Sequence, residues 1–356
     1  MAPVRKRQPQ NPSHAPGGAR PAGGKGLLGR AIVTGGAGFI GSNLVDFLVG
    51  MDARVLILDN FCTGRVSNVQ PALASGAELV DMDISRGQDL NRIVASFQPD
   101  AIFHFAAQVD VRDSALHPAT DASSNVIGSV NVLAAAAEHE VRRLVFASTG
   151  GAIYGDAACV PTAETEPTKP ISPYGLSKLS AELYAQWFHR ARHLNVVTLR
   201  FGNVYGPRQD PARGAVVARF CEQAVRGAEF EIFGTGKATR DYLYVGDAVA
   251  ASFQAAQRER LRYCVYNVSS GREISVHELA SLITGLAGQA AGHLNVKVLD
   301  ARPGEVSRSC LDISRARDDG IIGTLTALDA GITATLAWMR TSQPGRAVGS
   351  SYRRAR

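Results

Sequence analysis

Short apolar runs alternate with longer stretches of helical periodicity through the first two hundred residues. Ala31 to Val33 has the length of a buried strand, and Phe39, Leu44, Phe47 and Leu48 follow at helical spacing. A second apolar run, Val55 to Leu58, ends in Asp59. Further strands are predicted at Glu78–Val80, Ala101–Phe105, Arg143–Thr149 and Asn195–Arg200. Helices are predicted over about 87–97, 118–138 and 173–193. Strands alternating with helices predict a Rossmann-type α/β fold, a doubly wound parallel sheet. After about residue 203 the alternation loosens. Gly, Pro and Arg punctuate the stretch from Asn203 to Gln209 and again Gly234 to Lys237. The expected organisation is a nucleotide-binding domain over 30–202, a return to it near 241–270, and a smaller substrate-binding α/β lobe over 203–340.

The first strand–helix–strand unit carries the chemistry of a dinucleotide site. Gly35, Gly38 and Gly41 stand at G-x-x-G-x-x-G spacing. They allow a tight exit from the strand, close approach of a pyrophosphate, and close packing of helix on sheet. The helix N-terminus then offers N–H groups to phosphates. Asp59, at the end of the second strand, is placed to accept the adenine ribose hydroxyls and to repel the extra phosphate of NADP, which makes NAD the expected cofactor. Ala106, Ala107 and Gln108 follow the fourth strand, small residues leading where a cofactor must pass.

Tyr174 and Lys178 stand at i and i+4, and Pro173 suits a first helical turn, so both side chains share a face. A phenol with a pKa near 10 is a poor base at neutral pH. A nearby ammonium and a cationic nicotinamide would bring it toward the working range.

Composition adds boundaries. The net charge is +6, but the first 30 residues carry six Lys/Arg and no acid, and residues 341–356 carry four Arg, so the body between is about −4. Residues 1–29 and 341–356 read as disordered basic tails, and no motif supports nucleic-acid or membrane binding. No apolar run reaches the length of a membrane span. Five scattered cysteines without a C-x-x-C pair imply a reduced, cytoplasmic protein and no structural metal.

A series of motifs in order resembles the extended short-chain dehydrogenase/reductase superfamily. They are Thr34 to Gly41, Asp83-Ile84, His104 to Ala107, Ser148-Thr149 with Ile153-Tyr154-Gly155, Tyr174 to Lys178, Asn203, and Arg240-Asp241-Tyr242. Within that superfamily the likeness is to the UDP-glucose 4-epimerase group of nucleotide-sugar epimerases, and it covers about residues 28–340. The resemblance implies that Tyr174 is the base for the sugar 4-hydroxyl, that Lys178 binds the nicotinamide ribose and tunes Tyr174, and that Thr149, with Ser148 as the alternative, hydrogen-bonds that hydroxyl. It implies a cofactor pocket that also includes Phe39, Ile40, Asn60, Asp83, Ile84, Phe105, Asn125 and Phe201. A UDP-sugar would meet Gln108, Asn203 and Phe233, with Arg240 and Arg302 neutralising its diphosphate. Ser309 stands near the expected sugar 2-position, where a small side chain leaves room for an N-acetyl group. UDP-N-acetylglucosamine or a UDP-uronic acid is therefore an alternative to UDP-glucose. The segment after Thr149 is one residue longer than the Ser-rich version of many such epimerases. It also lacks the Asp-Glu pair of the resembling 4,6-dehydratases, which favours epimerisation over dehydration or decarboxylation. A non-catalytic NAD-sensing regulator is the competing reading from another class. The helices at 118–138 and 173–193 resemble those that form a dimer seam in the family, implying a homodimer.

Overall fold

The computed structural model describes residues 28–213, 215–288, 295–300 and 306–342. Arg302 and all but the inner edges of the two expected tails lie outside the described residues. The chain runs β1 (Arg30–Thr34), β2 (Arg54–Asp59), β3 (Glu78–Asp81), β4 (Ala101–His104), β5 (Arg143–Thr149) and β6 (Val196–Phe201). It continues through β7 (Asn203–Tyr205), β8 (Phe230–Phe233), β9 (Thr239–Tyr244), β10 (Val265–Val268), β11 (Glu273–Ser275), β12 (Val296–Leu299) and β13 (Arg308–Ser309).

Seven strands form one parallel sheet in the order β10-β6-β5-β4-β1-β2-β3. The order reverses at β1, which pairs with both β2 and β4. Alternation of side chains feeds two cores. Val33, Ile57, Phe103 and Val145 lie in register across β1, β2, β4 and β5 and pack on one face. Ile32, Leu58, Ile102 and Leu144 pack on the other. Because both faces are covered, these strands read as continuous apolar runs rather than as alternating ones. The helix Val245–Gln257 packs against the helix Phe39–Gly50, and β10 then joins the sheet beside β6.

The remaining strands form smaller sheets, β11-β9-β13 with β7 beside β9, and β12 paired with β8. A third apolar cluster including Phe220, Phe230, Leu279 and Leu336 supports them. The helix expected over 118–138 begins at Pro118 and ends at Glu138, but it is not uniform. Ser123–Ile127 forms a π-helical turn between two α-helical parts. Such a bulge re-aims the side chains that it carries.

Candidate active site

The carboxyl ends of the parallel strands open onto one cavity of about 1580 Å3. This is where an open α/β sheet leaves room for a ligand, outside the point at which the strand order reverses. Each strand delivers a wall residue as it ends: Gly35 after β1, Asp59 on β2, Asp83 after β3, Phe105 after β4, Thr149 on β5 and Phe201 on β6.

The Gly-rich turn is built for close approach. Gly35 has φ +67° and its N–H donates to Leu58 O at 2.7 Å. A Cβ there would lie 2.6 Å from Ala106 N, and one on Gly41 would overlap the Gly35 carbonyl. Gly38 caps the helix Phe39–Gly50 without a side-chain hydrogen bond, and Gly38, Phe39, Ile40 and Gly41 all face the cavity. Its first N–H groups therefore face the cavity without a side-chain cap.

Asp59 has a second task besides the one expected of it. Its carboxylate accepts Ala37 N at 2.9 Å and Phe61 N at 2.8 Å, bracing the turn, while still lining the cavity. Burial raises its pKa and the two backbone donors pull it back. Asn60 Nδ2 donates to Asp83 Oδ2 at 2.9 Å, so those two expected contacts form one unit, with Ile84 beside them on the wall. Phe105 stacks on Phe201 with ring centroids 6.2 Å apart, and Ala106, Ala107 and Gln108 continue the wall.

Asn125 stands one layer back. It is buried on the π-helical turn and is not on the cavity wall; its Oδ1 accepts Gln108 N at 2.8 Å and its Nδ2 donates to Gln108 O at 2.9 Å. The side chain thus fixes the backbone of a wall residue. The role expected of it, to line the pocket, is carried by Gln108 instead.

Tyr174 and Lys178 come from the helix Pro173–Arg192. Ser172 caps it by accepting Gly175 N at 3.1 Å, and Pro173 occupies its first turn. Gly175 is needed because a Cβ would lie 2.5 Å from Ala152 O, so the helix start packs directly on the segment after Thr149. The Ser114 hydroxyl accepts Tyr174 N at 3.1 Å. The nearby Thr149 hydroxyl lowers the pKa of the Tyr174 phenol, but burial dominates and pushes it up to about 12. The charge that reaches it is that of Asp121, which raises it further. Burial brings Lys178 down to about 8, against the opposing carboxylates of Glu182 and Asp121. Its ammonium lies 4.5 Å from the centroid of the Phe146 ring.

Ser148 and Thr149 both line the cavity, and the buried Ser148 Oγ finds no partner among the described residues. An orphaned hydroxyl facing a cavity is the mark of a ligand contact. This hydroxyl, the Gly-rich cradle and the acid ending β2 together fit a dinucleotide.

At the far side of the cavity stand Asn203, Phe233 and Arg240. Asn203 Nδ2 donates to Asp241 O at 3.3 Å, and Arg240 Nη1 to Thr239 O at 2.8 Å. Ser309 pairs in register with Arg240 but is not on the wall. Sequence reasoning missed Arg219, which lines the cavity with its guanidinium 5.2 Å from the Phe233 ring centroid. It named the motif that contains Tyr242 without giving that residue a role, and it gave none to the loop Arg208–Arg213. Arg219 sits beside the apolar stripe of the helix Val216–Arg226, a position that amphipathic patterning could have flagged.

A dinucleotide cradle at the reversal point of a parallel sheet, with a Tyr/Lys pair facing the same space, defines a dinucleotide-binding α/β protein. The model of the NAD dependent epimerase/dehydratase family matches residues 31–269, and the chain belongs to that family. Its cofactor is NAD. The chain is 39% identical over 321 residues to a UDP-glucose 4-epimerase of Mycolicibacterium smegmatis, covering 87% of this chain and 98% of the relative. Among solved structures it resembles the UDP-glucose 4-epimerase of Thermotoga maritima with UDP-glucose, at 39% identity and a TM-score of 0.82, covering 88% of this chain and 99% of that one. It also resembles the UDP-N-acetylglucosamine 4-epimerase of Methanobrevibacter ruminantium M1 in complex with UDP-N-acetylmuramic acid. There the identity is 30% and the TM-score 0.82, over 89% and 100% of the two chains.

Proposed function

We propose that the protein is an NAD-dependent nucleotide-sugar 4-epimerase that interconverts UDP-glucose and UDP-galactose through a 4-keto sugar. The observation that carries the reading is the meeting of Thr149, Tyr174 and Lys178 in one cavity that extends from the Gly-rich turn to Asn203 and Arg240. NAD, when bound, supplies the acceptor that takes hydride from C4 and returns it. Tyr174 takes the O4 proton as C4 is oxidised and gives it back on reduction. Thr149 aligns the phenol, and by donating a hydrogen bond it favours the phenolate. Lys178 supplies positive charge at the same turn. Asn203 and Arg240 hold the diphosphate end, and Arg302 is proposed to join them, so that the sugar can present either face of C4 to one fixed base. Gly35, Gly38, Gly41 and Asp59 hold the cofactor, with Phe39, Ile40, Asn60, Asp83, Ile84, Phe105, Ala106, Ala107 and Phe201 around it.

Incubation with UDP-glucose tests this: UDP-galactose of unchanged mass should accumulate without added cofactor turnover. Loss of water or of carbon dioxide from the sugar would overturn it in favour of a dehydratase or decarboxylase. The segment Gly150–Ile153 after Thr149 brings no carboxylate to the site, which speaks against elimination. If Tyr174→Phe left the protein's function intact, the NAD-sensing reading would replace the enzymatic one.

A second sugar, UDP-N-acetylglucosamine, is supported by the likeness to the UDP-N-acetylglucosamine 4-epimerase of Methanobrevibacter ruminantium M1, while Ser309, which stands off the cavity wall, does not carry that reading. We also propose a homodimer. Leu176, Leu183, Tyr184 and Trp187 on the helix Pro173–Arg192 are exposed, as is Ile127, and they would pack against a second copy. A cytoplasmic location accords with five cysteines that are all free thiols.

A further inference from the structure

The loop that leaves β7 does not stay with the smaller sheets. Residues 207–210 cross to the first strand–helix–strand unit and are fastened to it at three points. Asn43 Nδ2, on the helix Phe39–Gly50, donates to Pro207 O at 3.2 Å. About one turn further along that helix, Asp46 Oδ2 accepts Arg208 Nη2 at 2.5 Å. Asp210 Oδ2 accepts Arg65 Nη2 at 2.9 Å, and Arg65 N in turn donates to Ala37 O in the Gly-rich turn at 3.0 Å. At its near end the loop stays tied to β7, because Gln209 Nε2 donates to Val204 O at 2.9 Å. Arg65, Arg208, Gln209 and Asp210 line the same cavity as Gly35, Gly38 and Phe39.

Two features set this loop apart from an ordinary connection. Arg208 has φ +73°, a left-handed conformation that is unfavourable for a residue with a Cβ. Such a conformation persists only where its surroundings hold it. Here the hold is the ion pair with Asp46, whose two side chains are 18% and 34% exposed for Arg208 and Asp46. The second feature is a group of orphaned atoms. Arg208 Nη1, Asp46 Oδ1 and Gln209 Oε1 are buried without a hydrogen-bond partner among the described residues. Buried polar groups left in this way call for an explanation. A loop that completes its contacts around a bound dinucleotide supplies one.

We propose that residues 207–210 form a latch that keeps NAD in its cradle, with Arg208 and Asp46 as the main fastening and Asp210 and Arg65 as the outer one. These are positioning residues, which act on the cofactor through the helix and the turn that hold it. The latch goes beyond the epimerase reading, yet it answers a need of that chemistry. A cofactor that takes hydride and returns it within one turnover must not leave between the two steps. The inner pair should dominate. The side chains of Arg65 and Asp210 are 52% and 29% exposed, and an ion pair so open to water contributes little. A charge-assisted bond sheltered from water contributes more.

Exchange of bound NAD tests the latch. Holoprotein carrying 14C-labelled NAD is diluted into excess unlabelled NAD, and the retained label is followed by filter binding. Arg208→Gly and Asp46→Asn should each speed release about tenfold, and the double variant should be no faster than the faster single, because both remove one pair. Arg208→Lys keeps a cation and should stay within about threefold of the wild type, and Asp210→Asn should change release by about twofold. General damage to the fold would move a different readout. Glycine relieves the left-handed backbone by about as much as the lost pair costs, so apo Arg208→Gly should melt within about 3 °C of the wild type. Unchanged release in both single variants would overturn the proposal, and so would additive effects in the double. Faster release accompanied by a larger fall in the apo midpoint would assign the effect to damage and overturn it too. Asp46→Asn decides the matter if Arg208→Gly fails to fold. The exchange needs no sugar, so a holoprotein inactive on UDP-glucose would sink the epimerase reading and leave the latch to these rates.

Discussion

Thr149, the last residue of β5, faces the same cavity as Tyr174 of the helix Pro173–Arg192, and its hydroxyl is near enough to the phenol to lower that group's pKa. The contact joins the end of the parallel sheet to the helix that covers it. It also pulls the phenol down against its burial. Thr149→Val should therefore raise the Tyr174 pKa further. A rise means that the base form is lost at higher pH, so the acid limb of kcat/KM moves up and the rate at neutral pH falls by about tenfold to a hundredfold. A pH profile of the variant measures both effects.

Gly41 packs so closely on the Gly35 carbonyl that any Cβ would overlap it. Gly41→Ala should push the helix Phe39–Gly50 away from the turn and release the cofactor, while the parallel sheet remains intact. Released NAD can be measured after gel filtration, with circular dichroism as the check on folding. Retention of a full equivalent of NAD would contradict the role given to this residue.

Glu182 and Arg200 form an ion pair with side chains 0% and 6% exposed, and Arg200 Nη1 also donates to Tyr154 Oη at 2.8 Å. Tyr154 in turn donates to Asn267 Oδ1 at 2.8 Å, so the network links β6 and β10 with the segment after β5. Glu182→Gln would strand the guanidinium in the interior. The expected cost is about 3–5 kcal/mol, read as a lower urea midpoint with an unchanged m-value.

His104 is 1% exposed, with Nδ1 2.7 Å from Thr34 Oγ1 and Nε2 2.9 Å from Ser129 Oγ. Burial and the Lys178 charge lower its pKa from 6.5 to about 3. Between those values the unfolded chain binds a proton that the folded protein refuses, so stability falls as pH drops below 6.5. Urea titrations at pH 7 and pH 5 should differ by about 2 kcal/mol from this residue, and His104→Asn should flatten the difference by that amount.

Much of this site is legible in the chain because it is built from local patterns. Gly35, Gly38, Gly41 and Asp59 lie within a single strand–helix–strand unit, and Tyr174 and Lys178 lie within one helical turn. Their spacing carries their geometry. Asn125 shows where that reasoning stops: the residue is central to the site, but the π-helical turn at Ser123–Ile127 directs it to the backbone of Gln108 rather than to the cavity. Periodicity in the sequence carries no sign of that single inserted turn residue. The loop Arg208–Arg213 escaped notice for a related reason, since nothing adjacent to it in sequence shows that it faces a cavity.

By itself the sequence determined the order of strands and helices, the cofactor turn and the identity of the Tyr/Lys pair, because each depends on residues a few positions apart. Only the tertiary structure decided the charge environment of that pair. Asp121, Arg200 and Thr149 reach the turn from separate elements, and burial, which sets how strongly charges and hydrogen bonds act, is a property of the packed whole.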